Sequence, residues 1–215
     1  VGIVSHMPDK TLHRTTYAQF HRRARLLAEA LQKAGIRQGD RVGTLMWNHY
    51  AHYESYFGII ASGAVLHTLN LRLAPDEIAF IANHADDRFV IVDDVLLPLL
   101  EKFLPQTKIE KVIVVPLTGQ PVPDRYVSYE DFLATASGDW DYPDLDEDAP
   151  AAMCYTSGTT GRPKGVVYSH RSQVLHTLAL CMPDAIGISG RDVVLPVVPM
   201  FHANAWGVPY ATCML

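Results

Sequence analysis

One short segment of the sequence concentrates the residue types that bind phosphate groups. Residues 156–165 read TSGTTGRPKG and include four hydroxyl side chains, three glycines and one lysine. Glycines let the backbone approach a ligand closely and adopt positive φ angles. Successive backbone amides and hydroxyls donate hydrogen bonds to phosphate oxygens, and a lysine adds a positive point charge. The segment therefore predicts a loop that binds a polyphosphate.

This loop differs from a Walker phosphate loop. Counted from Gly158, the Walker pattern requires Gly at position 163 and Ser or Thr at position 165, where this chain has Pro163 and Gly165. The loop also lies between two strand-like runs, whereas a Walker loop opens directly into a helix. A phosphotransferase with a glycine-rich loop is therefore disfavoured. On composition alone, a hairpin without a ligand stays open, because Gly, Ser and Thr are common in turns.

A second unusual segment follows about thirty residues later. Residues 196–210 read PVVPMFHANAWGVPY, in which prolines bound a cluster of aromatic, histidine and asparagine side chains. The prolines interrupt the segment too often for a regular helix. Taken in isolation, His202 and Trp206 are more typical of core or interface residues than of catalytic ones.

The chain around these two segments alternates between helical and strand-like patterns. From Thr16 to Gly35, apolar residues recur in steps of three and four, which predicts a helix with Thr16 as its N-cap and Gly35 as its stop. Further helices are predicted over 50–61, from Pro75 onward, near 95–104 and from about Arg171. Strands are predicted over 41–46, 65–69, 89–92, 111–115, 151–155 and 166–169. This alternation predicts an α/β fold with parallel-type sheets flanked by helices.

The segment 139–150, DWDYPDLDEDAP, is acidic and punctuated by prolines. Such a composition predicts an exposed linker, and clustered surface acids are more often solubilising than metal-binding. We therefore expect a first α/β subdomain over 1–138, the acidic linker over 139–150, and the start of a second α/β subdomain over 151–215 that carries the phosphate loop.

Composition limits the class of protein. Of the residues, 48% are hydrophobic and 19% charged, as in an ordinary globular protein, and the formal net charge of −5 argues against nucleic acid as a partner. The three cysteines, at 154, 181 and 213, are widely spaced and predict neither a disulfide framework nor a metal site. The first ten residues do not resemble a signal peptide, and no apolar run reaches the length of a membrane span. The expected location is the cytoplasm.

The phosphate-binding segment carries a resemblance to a known family. Tyr155–Val166, YTSGTTGRPKGV, closely resembles the phosphate-loop signature of the adenylate-forming, or AMP-binding, superfamily, which includes acyl-CoA synthetases, luciferases and the adenylation domains of peptide synthetases. Other stretches similar to these enzymes are Asn70–Leu73 with Pro75, Glu77, Ile78 and His84, and Ser169–Arg171 after the loop. Pro199–His202 resembles the superfamily's next motif. The continuation Asn204–Gly207 is more similar to bacterial-type medium- and long-chain fatty-acyl-CoA synthetases than to aryl-CoA ligases.

The resemblance implies roles for individual residues. ATP phosphates would be bound by Thr156, Ser157, Gly158, Thr159, Thr160, Gly161 and Lys164. Thr156 would also be a candidate Mg²⁺ ligand, and Thr156, Lys164 and His202 would take part in catalysis. The acyl group would contact Phe201, His202 and Trp206, with Trp206 at the mouth of an apolar tunnel. The implied cofactors and substrates are ATP, Mg²⁺, CoA and a fatty or similarly apolar carboxylic acid.

The implied activity is that of an AMP-forming acyl-CoA ligase, which makes an acyl-adenylate and then an acyl-CoA. The chain would be part of the large N-terminal domain of such an enzyme and less than half of its length. It lacks the later Tyr-Gly-x-Thr-Glu motif, the ribose-binding Gly-Asp pair and the C-terminal domain with its catalytic Lys. We therefore interpret the chain as a fragment that is inactive alone and exposes apolar surface.

Several alternatives stay open at this point. One is an aryl- or short-chain acyl-CoA ligase of the same superfamily. Another is a non-catalytic nucleotide- or acyl-binding module, which the complete set of loop hydroxyls and glycines disfavours. The sequence also leaves open a peripheral membrane contact and a homodimer.

Overall fold

A computed structural model describes residues 2–156 and 161–215 of the chain. The strands are β1 (Gly2–His6), β2 (Leu12–Thr16), β3 (Arg41–Leu45), β4 (Val65–Thr68), β5 (Asp87–Asp93), β6 (Lys111–Val115), β7 (Val127–Ser128), β8 (Pro150–Thr156) and β9 (Lys164–Ser169). The α-helices are α1 (Tyr17–Lys33), α2 (Tyr50–Ala61), α3 (Pro75–Ala85), α4 (Leu97–Phe103), α5 (Tyr129–Ala134), α6 (His170–Cys181) and α7 (Val208–Met214). Short 3-10 helices span Asp94–Leu96, Leu104–Gln106 and Ala203–Gly207.

A seven-stranded sheet organises the described residues, in the order β7-β6-β5-β3-β4-β8-β9. Neighbouring strands from β7 to β8 run parallel, and β9 pairs antiparallel with β8. The antiparallel edge arises because β8 and β9 are the two arms of one hairpin. The remaining strands, β1 and β2, form a separate antiparallel pair. The predicted α/β class with a parallel-type sheet is confirmed.

Helices cover both faces of this sheet. Successive residues of β5 alternate between two hydrophobic clusters, with Phe89 and Ile91 in one and Val90 and Val92 in the other. Because side chains alternate across a strand, the two clusters lie on opposite faces. The first cluster includes residues of α1, α2 and α5, and the second includes residues of α3 and α4. Burial on both faces explains why these strands read as continuous apolar runs rather than alternating ones.

The first long helix begins and ends where the sequence predicts. Thr16 Oγ1 accepts a hydrogen bond from the Gln19 amide at 3.2 Å, and Gln19 Oε1 accepts one from the Thr16 amide at 2.8 Å. This reciprocal capping box satisfies two amides at the helix start. Gly35 follows the helix with a φ of +99°, which a residue with a side chain rarely adopts.

The helices α1 and α2 pack closely at a glycine. A Cβ atom on Gly58 would lie 2.8 Å from both the carbonyl oxygen of Ala24 and the Cδ2 atom of Leu27. Only a residue without a side chain fits between the two helices at this level. The close approach fixes α2, and α2 in turn positions the turn that precedes it.

Most predicted boundaries agree with the structure to within one or two residues. The helix predicted over 50–61 and the strand predicted over 111–115 have the observed bounds. Pro75 lies in the first turn of α3, as predicted. The helical stretch predicted near 95–104 is a short α-helix between two 3-10 helices. Pro98 lies in the first turn of this α-helix, and Pro105 lies in the 3-10 helix that follows it.

The acidic segment and the residues just before it follow the surface of α1. Glu29 accepts hydrogen bonds from the amides of Ser137 and Gly138, and the indole nitrogen of Trp140 donates to Gln32 Oε1 at 2.8 Å. The two strands that come after this segment belong to the same sheet as the strands before it. The division into subdomains at 139–150 stays a prediction.

Exposed apolar side chains are concentrated between residues 167 and 197. Those at least half exposed are Val167, Val174, Leu175, Leu178, Met182, Ile186, Val193, Leu195 and Val197, and Val193 reaches 97%. This is the kind of apolar surface that the sequence predicts. Across the described ranges, no helix has both the length and the hydropathy needed to cross a membrane.

Candidate functional site

The predicted phosphate loop connects the two arms of the β8–β9 hairpin. Thr156 is the last residue of β8 and pairs with Lys164, the first residue of β9. The loop leaves the sheet at the carboxyl end of β8, which runs parallel to β4. In open α/β sheets ligands bind outside the carboxyl ends of parallel strands, so this position suits a binding loop.

The structure describes only the two flanks of this loop. Ser157, Gly158, Thr159 and Thr160 lie outside the described residues, and their assignment to ATP phosphates stays a prediction. Thr156 is exposed, and its hydroxyl lies 3.5 Å from the carbonyl oxygen of Lys164.

Two further loop residues have geometry that suits a binding loop. Gly161 has a φ of +153°, and a Cβ atom on it would meet nothing within 4 Å, so the backbone angle rather than space favours glycine there. Lys164 is exposed, and no ion pair or side-chain hydrogen bond involves its ammonium group within the described ranges. A cation of this kind is free to meet an anionic ligand.

The second constellation adopts an unusual backbone beside the hairpin. Consecutive residues from Ala203 to Trp206 have φ values between 45° and 56°, and Gly207 follows at 77°. A left-handed run of residues with side chains is costly, which agrees with the prediction that this segment is not a regular helix. The 3-10 helix that contains it contacts β8 and α6. The two predicted constellations therefore lie next to each other.

Phe201 lies in a pocket of aromatic and cationic groups. Its side chain is 2% exposed. The Trp47 ring meets it edge-on with centroids 5.9 Å apart, and the Arg72 guanidinium lies 5.6 Å from its ring centre. Arg72 belongs to the stretch after β4 that carried the family resemblance. The structure thus brings two of the stretches singled out in the sequence together around Phe201.

His202 and Trp206 are more accessible than Phe201. The side chain of His202 is exposed, and that of Trp206 is 56% exposed. The carbonyl oxygen of Trp206 lies 3.1 Å from His176 Nε2 on α6, which ties this segment to the helix after the hairpin. An exposed indole beside the hairpin is compatible with contact to an apolar ligand. The predicted acyl contacts of these residues stay predictions.

Asn48, in the turn between β3 and α2, anchors the segment that leads to Phe201. Its side-chain nitrogen donates to the carbonyl oxygens of Pro196 and Val198, each at 3.1 Å, and its side-chain oxygen accepts from the Met200 amide at 2.7 Å. The Tyr56 hydroxyl also donates to the Met200 carbonyl. Sequence reasoning missed Asn48, because a polar residue after a strand is expected in any turn.

A buried histidine–aspartate pair fixes the same turn through hydrogen bonds. Asp93, at the end of β5, accepts hydrogen bonds at 2.8 Å from the Trp47 amide and from His49 Nε2. His49 Nδ1 accepts from the Ala51 amide at 3.2 Å and caps α2, so Nε2 carries the proton that is donated to Asp93. The turn that presents Trp47 and Asn48 is therefore fixed at both ends.

The described residues offer little to a metal ion by themselves. No group of three His, Cys, Asp or Glu side chains suited to a metal occurs in ranges 2–156 and 161–215. Mg²⁺ is usually held by one or two protein carboxylates together with substrate phosphates. Thr156 supplies a single exposed hydroxyl, so its role as a Mg²⁺ ligand stays a prediction.

Comparisons with known proteins identify the family of the chain. Residues 4–215 match the family model described as AMP-binding enzyme. The chain is 47% identical over 213 residues to a long-chain-fatty-acid–CoA ligase of Thermus thermophilus, a match that covers 99% of this chain and 38% of that protein. It is also 47% identical over 204 residues to a 3-methylmercaptopropionyl-CoA ligase of Ruegeria pomeroyi, covering 93% of this chain and 38% of that protein.

A solved structure agrees with this result. The inhibitor-bound N-terminal domain of FACL13 from Mycobacterium tuberculosis is 29% identical, with a TM-score of 0.82 and coverage of 99% of this chain and 51% of that one. The chain spans 38% of the length of each of the two relatives above. The resemblance inferred from the phosphate-binding segment is confirmed, and the chain belongs to the AMP-binding enzyme family.

Proposed function

We propose that the full-length protein is an AMP-forming acyl-CoA ligase that activates a fatty or similarly apolar carboxylic acid with ATP and CoA. The observation that carries this proposal is the 47% identity to a long-chain-fatty-acid–CoA ligase across 99% of the chain. The hairpin with the phosphate-loop signature contacts the 3-10 helix Ala203–Gly207, which supports adjacent sites for the nucleotide and the acid.

The proposed reaction has two steps. A carboxylate oxygen attacks the α-phosphorus of MgATP, the bond between the α-phosphorus and the bridging oxygen breaks, and pyrophosphate leaves. The CoA thiolate then attacks the carbonyl carbon, the bond from that carbon to the phosphate oxygen breaks, and AMP leaves. Mg²⁺ enters here as part of the nucleotide substrate.

The first step brings two anions together, so it depends on charge neutralisation and positioning rather than on a protein nucleophile. In this proposal Thr156 and the hydroxyls and amides of residues 157–161 bind the β- and γ-phosphates. The exposed ammonium group of Lys164 neutralises part of their charge. Its freedom from an internal ion pair in the described ranges supports that role.

The acid would bind on the Phe201 side of the hairpin. Phe201 and His202 would border the reacting carboxylate, and Trp206 would contact the apolar chain at the entrance to its site. The buried position of Phe201 between Trp47 and Arg72 supports a wall of fixed shape. The exposed indole of Trp206 supports a contact that a ligand can reach.

Residues 1–215 would not complete this reaction alone. The exposed apolar residues between 167 and 197 would be covered by the remainder of the enzyme. Residues that bind adenine, ribose and CoA would come from that remainder.

A second candidate acid is a short one that contains a thioether. The identity to a 3-methylmercaptopropionyl-CoA ligase equals the identity to the long-chain ligase, at 47%. Both candidates share the mechanism and differ in the length of the acyl site. Acid preference therefore separates them, whereas the presence of adenylation does not.

The test is acid-dependent exchange of pyrophosphate into ATP by the full-length protein, with acetate, 3-methylmercaptopropionate, octanoate, palmitate and benzoate. Exchange that is fastest with octanoate or palmitate supports the proposal. Exchange that is fastest with 3-methylmercaptopropionate supports the second candidate. The proposed function is overturned if no carboxylate stimulates exchange.

A further inference from the structure

Both described flanks of the phosphate loop contact the same helix, α3. On the β8 side, the Tyr155 hydroxyl lies 2.6 Å from His84 Nδ1. On the β9 side, the Arg162 guanidinium lies 5.1 Å from the centre of the Phe80 ring. Phe80 and His84 are one turn apart on α3, and their rings stack with centroids 5.5 Å apart at an interplanar angle of 28°. A continuous series of contacts thus runs from one flank of the loop, across α3, to the other.

The Tyr155 ring is also held from the side of the sheet. A Cβ atom on Gly165 would lie 3.2 Å from its Cζ atom, so the absence of a side chain at Gly165 lets the ring lie against β9. The His67 ring lies on another side, with centroids 5.3 Å apart. His67 Nδ1 is itself fixed by both carboxylate oxygens of Asp87, each at 2.8 Å. The hydroxyl of Tyr155 is therefore directed at His84 by neighbours that are themselves fixed.

Tyr155 stays protonated under ordinary conditions. Burial raises the pKa of its hydroxyl, the charge of Asp87 raises that pKa further, and Arg41 opposes the shift. A protonated hydroxyl can donate to a neutral imidazole nitrogen. The Tyr155 hydroxyl can therefore donate to His84 Nδ1 across the 2.6 Å contact.

We propose that Tyr155 and His84, together with Phe80, position the two described flanks of the phosphate loop for the binding of ATP phosphates. This inference rests on the proposed function and assigns α3 a role in it. None of the three side chains touches the reacting atoms in the proposed arrangement. They act as positioning residues through the loop that they hold.

The contacts contribute little to holding the sheet together. β8 and β9 already pair through backbone hydrogen bonds from Pro150 to Ser169, and the Tyr155–His84 hydrogen bond is exposed. Removing one exposed hydrogen bond changes overall stability only slightly. Loss of the Tyr155–His84 hydrogen bond should therefore weaken ATP binding more than it lowers the free energy of unfolding.

The test compares two tyrosine–histidine pairs in the full-length protein. Tyr155→Phe removes the hydroxyl that meets His84. Tyr142→Phe is the matched control, because the Tyr142 hydroxyl lies 2.9 Å from His21 Nε2 in an exposed pair away from the loop. We expect Tyr155→Phe to raise the KM for ATP about three- to tenfold, as the loss of one hydrogen bond would, with a smaller change in kcat and in the KM for the acid. Tyr142→Phe should leave all three unchanged.

Variants at His84 distinguish the loss of its hydrogen bond with Tyr155 from a general loss of packing. His84→Ala should raise the KM for ATP as Tyr155→Phe does, and the double variant should add little to either single one. His84→Asn should restore much of the affinity, because the side-chain amide oxygen can accept in the place of the imidazole Nδ1. Equal KM values for ATP in Tyr155→Phe and Tyr142→Phe would overturn the proposal, as would an His84→Asn variant no better than His84→Ala.

A second readout does not depend on catalysis. Hydrogen exchange of the amides from Lys164 to Val166 should be faster in Tyr155→Phe and in Phe80→Leu than in the wild type, and unchanged in Tyr142→Phe. If the wild type shows no acid-dependent pyrophosphate exchange, the proposed function fails while hydrogen exchange still decides whether α3 holds the hairpin. Hydrogen exchange that is the same in all variants overturns the inference in either case.

Discussion

The side-chain oxygen of Asn48 accepts a hydrogen bond at 2.7 Å from the amide of Met200, a residue 152 positions later in the chain. The nitrogen of the same side chain donates to two further carbonyl groups in that segment. One carboxamide thus uses both its donors and its acceptor to fix the backbone that precedes Phe201. The turn after β3 thereby sets the wall of the proposed acid site.

Replacing Asn48 should affect the acid more than the nucleotide. Asn48→Ala removes three hydrogen bonds to the segment before Phe201, so we expect the KM for the acid to rise about tenfold while the KM for ATP changes little. Asn83→Ala is a suitable control, since Asn83 also bridges two segments, through the Gln106 carbonyl at 2.7 Å and the Lys108 amide at 3.1 Å. Steady-state kinetics with each substrate varied in turn measures both values. A rise in the KM for ATP alone would contradict this assignment.

The contrast between Asn48 and the helix bounds shows what the sequence could predict. The helix Tyr50–Ala61 and the strand Lys111–Val115 follow from local patterns, because apolar runs and the turns that flank them are carried by neighbouring residues. The phosphate-binding segment was also local, since its residues are consecutive. These features could be predicted without knowing how the chain folds.

The contacts that position the site could not be predicted in this way. The Asn48–Met200 and Tyr155–His84 contacts join residues 152 and 71 positions apart, and no spacing in the sequence relates such pairs. Phe201 likewise contacts Trp47 and Arg72, which follow the strands β3 and β4. Residue type suggested a site near Phe201, and only the sheet order reveals its neighbours.

Lys164 should matter for adenylation and not for folding. Its ammonium group is exposed and forms no ion pair in the described ranges, so Lys164→Ala should change the free energy of unfolding by less than about 0.5 kcal/mol. The loss of a cation beside the phosphates should lower the rate of pyrophosphate exchange about 100-fold. Lys108→Ala, at another exposed lysine, serves as the control. Unchanged exchange in Lys164→Ala would remove this residue from the mechanism.

Glu29 should make stability depend on pH in the acid range. Burial by itself would raise the pKa of Glu29, but hydrogen bonds from Lys33, Ser137 and Gly138 outweigh burial and lower the pKa to about 2. Because this folded-state pKa lies below the ordinary value of 4.5, the ionised carboxylate stabilises the fold above about pH 4.5. That contribution is lost as the pH falls toward 2.

Glu29→Gln should therefore lower the free energy of unfolding by about 1–2 kcal/mol at pH 7. The difference from the wild type should shrink between pH 4.5 and pH 2. Urea unfolding at a series of pH values measures this. The matched control is Glu147→Gln, whose carboxylate pairs with Arg171 at 2.7 Å on the surface and should cost less than about 1 kcal/mol. A Glu29→Gln deficit that stays constant down to about pH 3 would contradict the assignment.

The left-handed backbone at Ala203 predicts that a glycine substitution there stabilises the fold. Ala203 has a φ of 45°, which costs a residue with a side chain about 1–2 kcal/mol. Ala203→Gly should therefore raise the free energy of unfolding, by about 0.5–1 kcal/mol after the greater freedom of glycine in the unfolded chain is counted. Ala179→Gly, at an exposed position of α6, should lower it by about 1 kcal/mol. Equal losses in the two variants would show that residues 203–206 do not adopt this backbone in solution.

Transfer of AMP to the carboxylate can be followed with an oxygen isotope. The full-length protein would be given ATP, CoA and the acid that supports the fastest pyrophosphate exchange, with ¹⁸O in both carboxylate oxygens. Attack of a carboxylate oxygen on the α-phosphorus leaves that oxygen on phosphorus when CoA displaces the nucleotide. We therefore expect AMP that carries one ¹⁸O atom per acyl-CoA formed. Release of ¹⁸O in inorganic phosphate together with ADP, or acyl-CoA formed with unlabelled AMP, would contradict activation by adenylation.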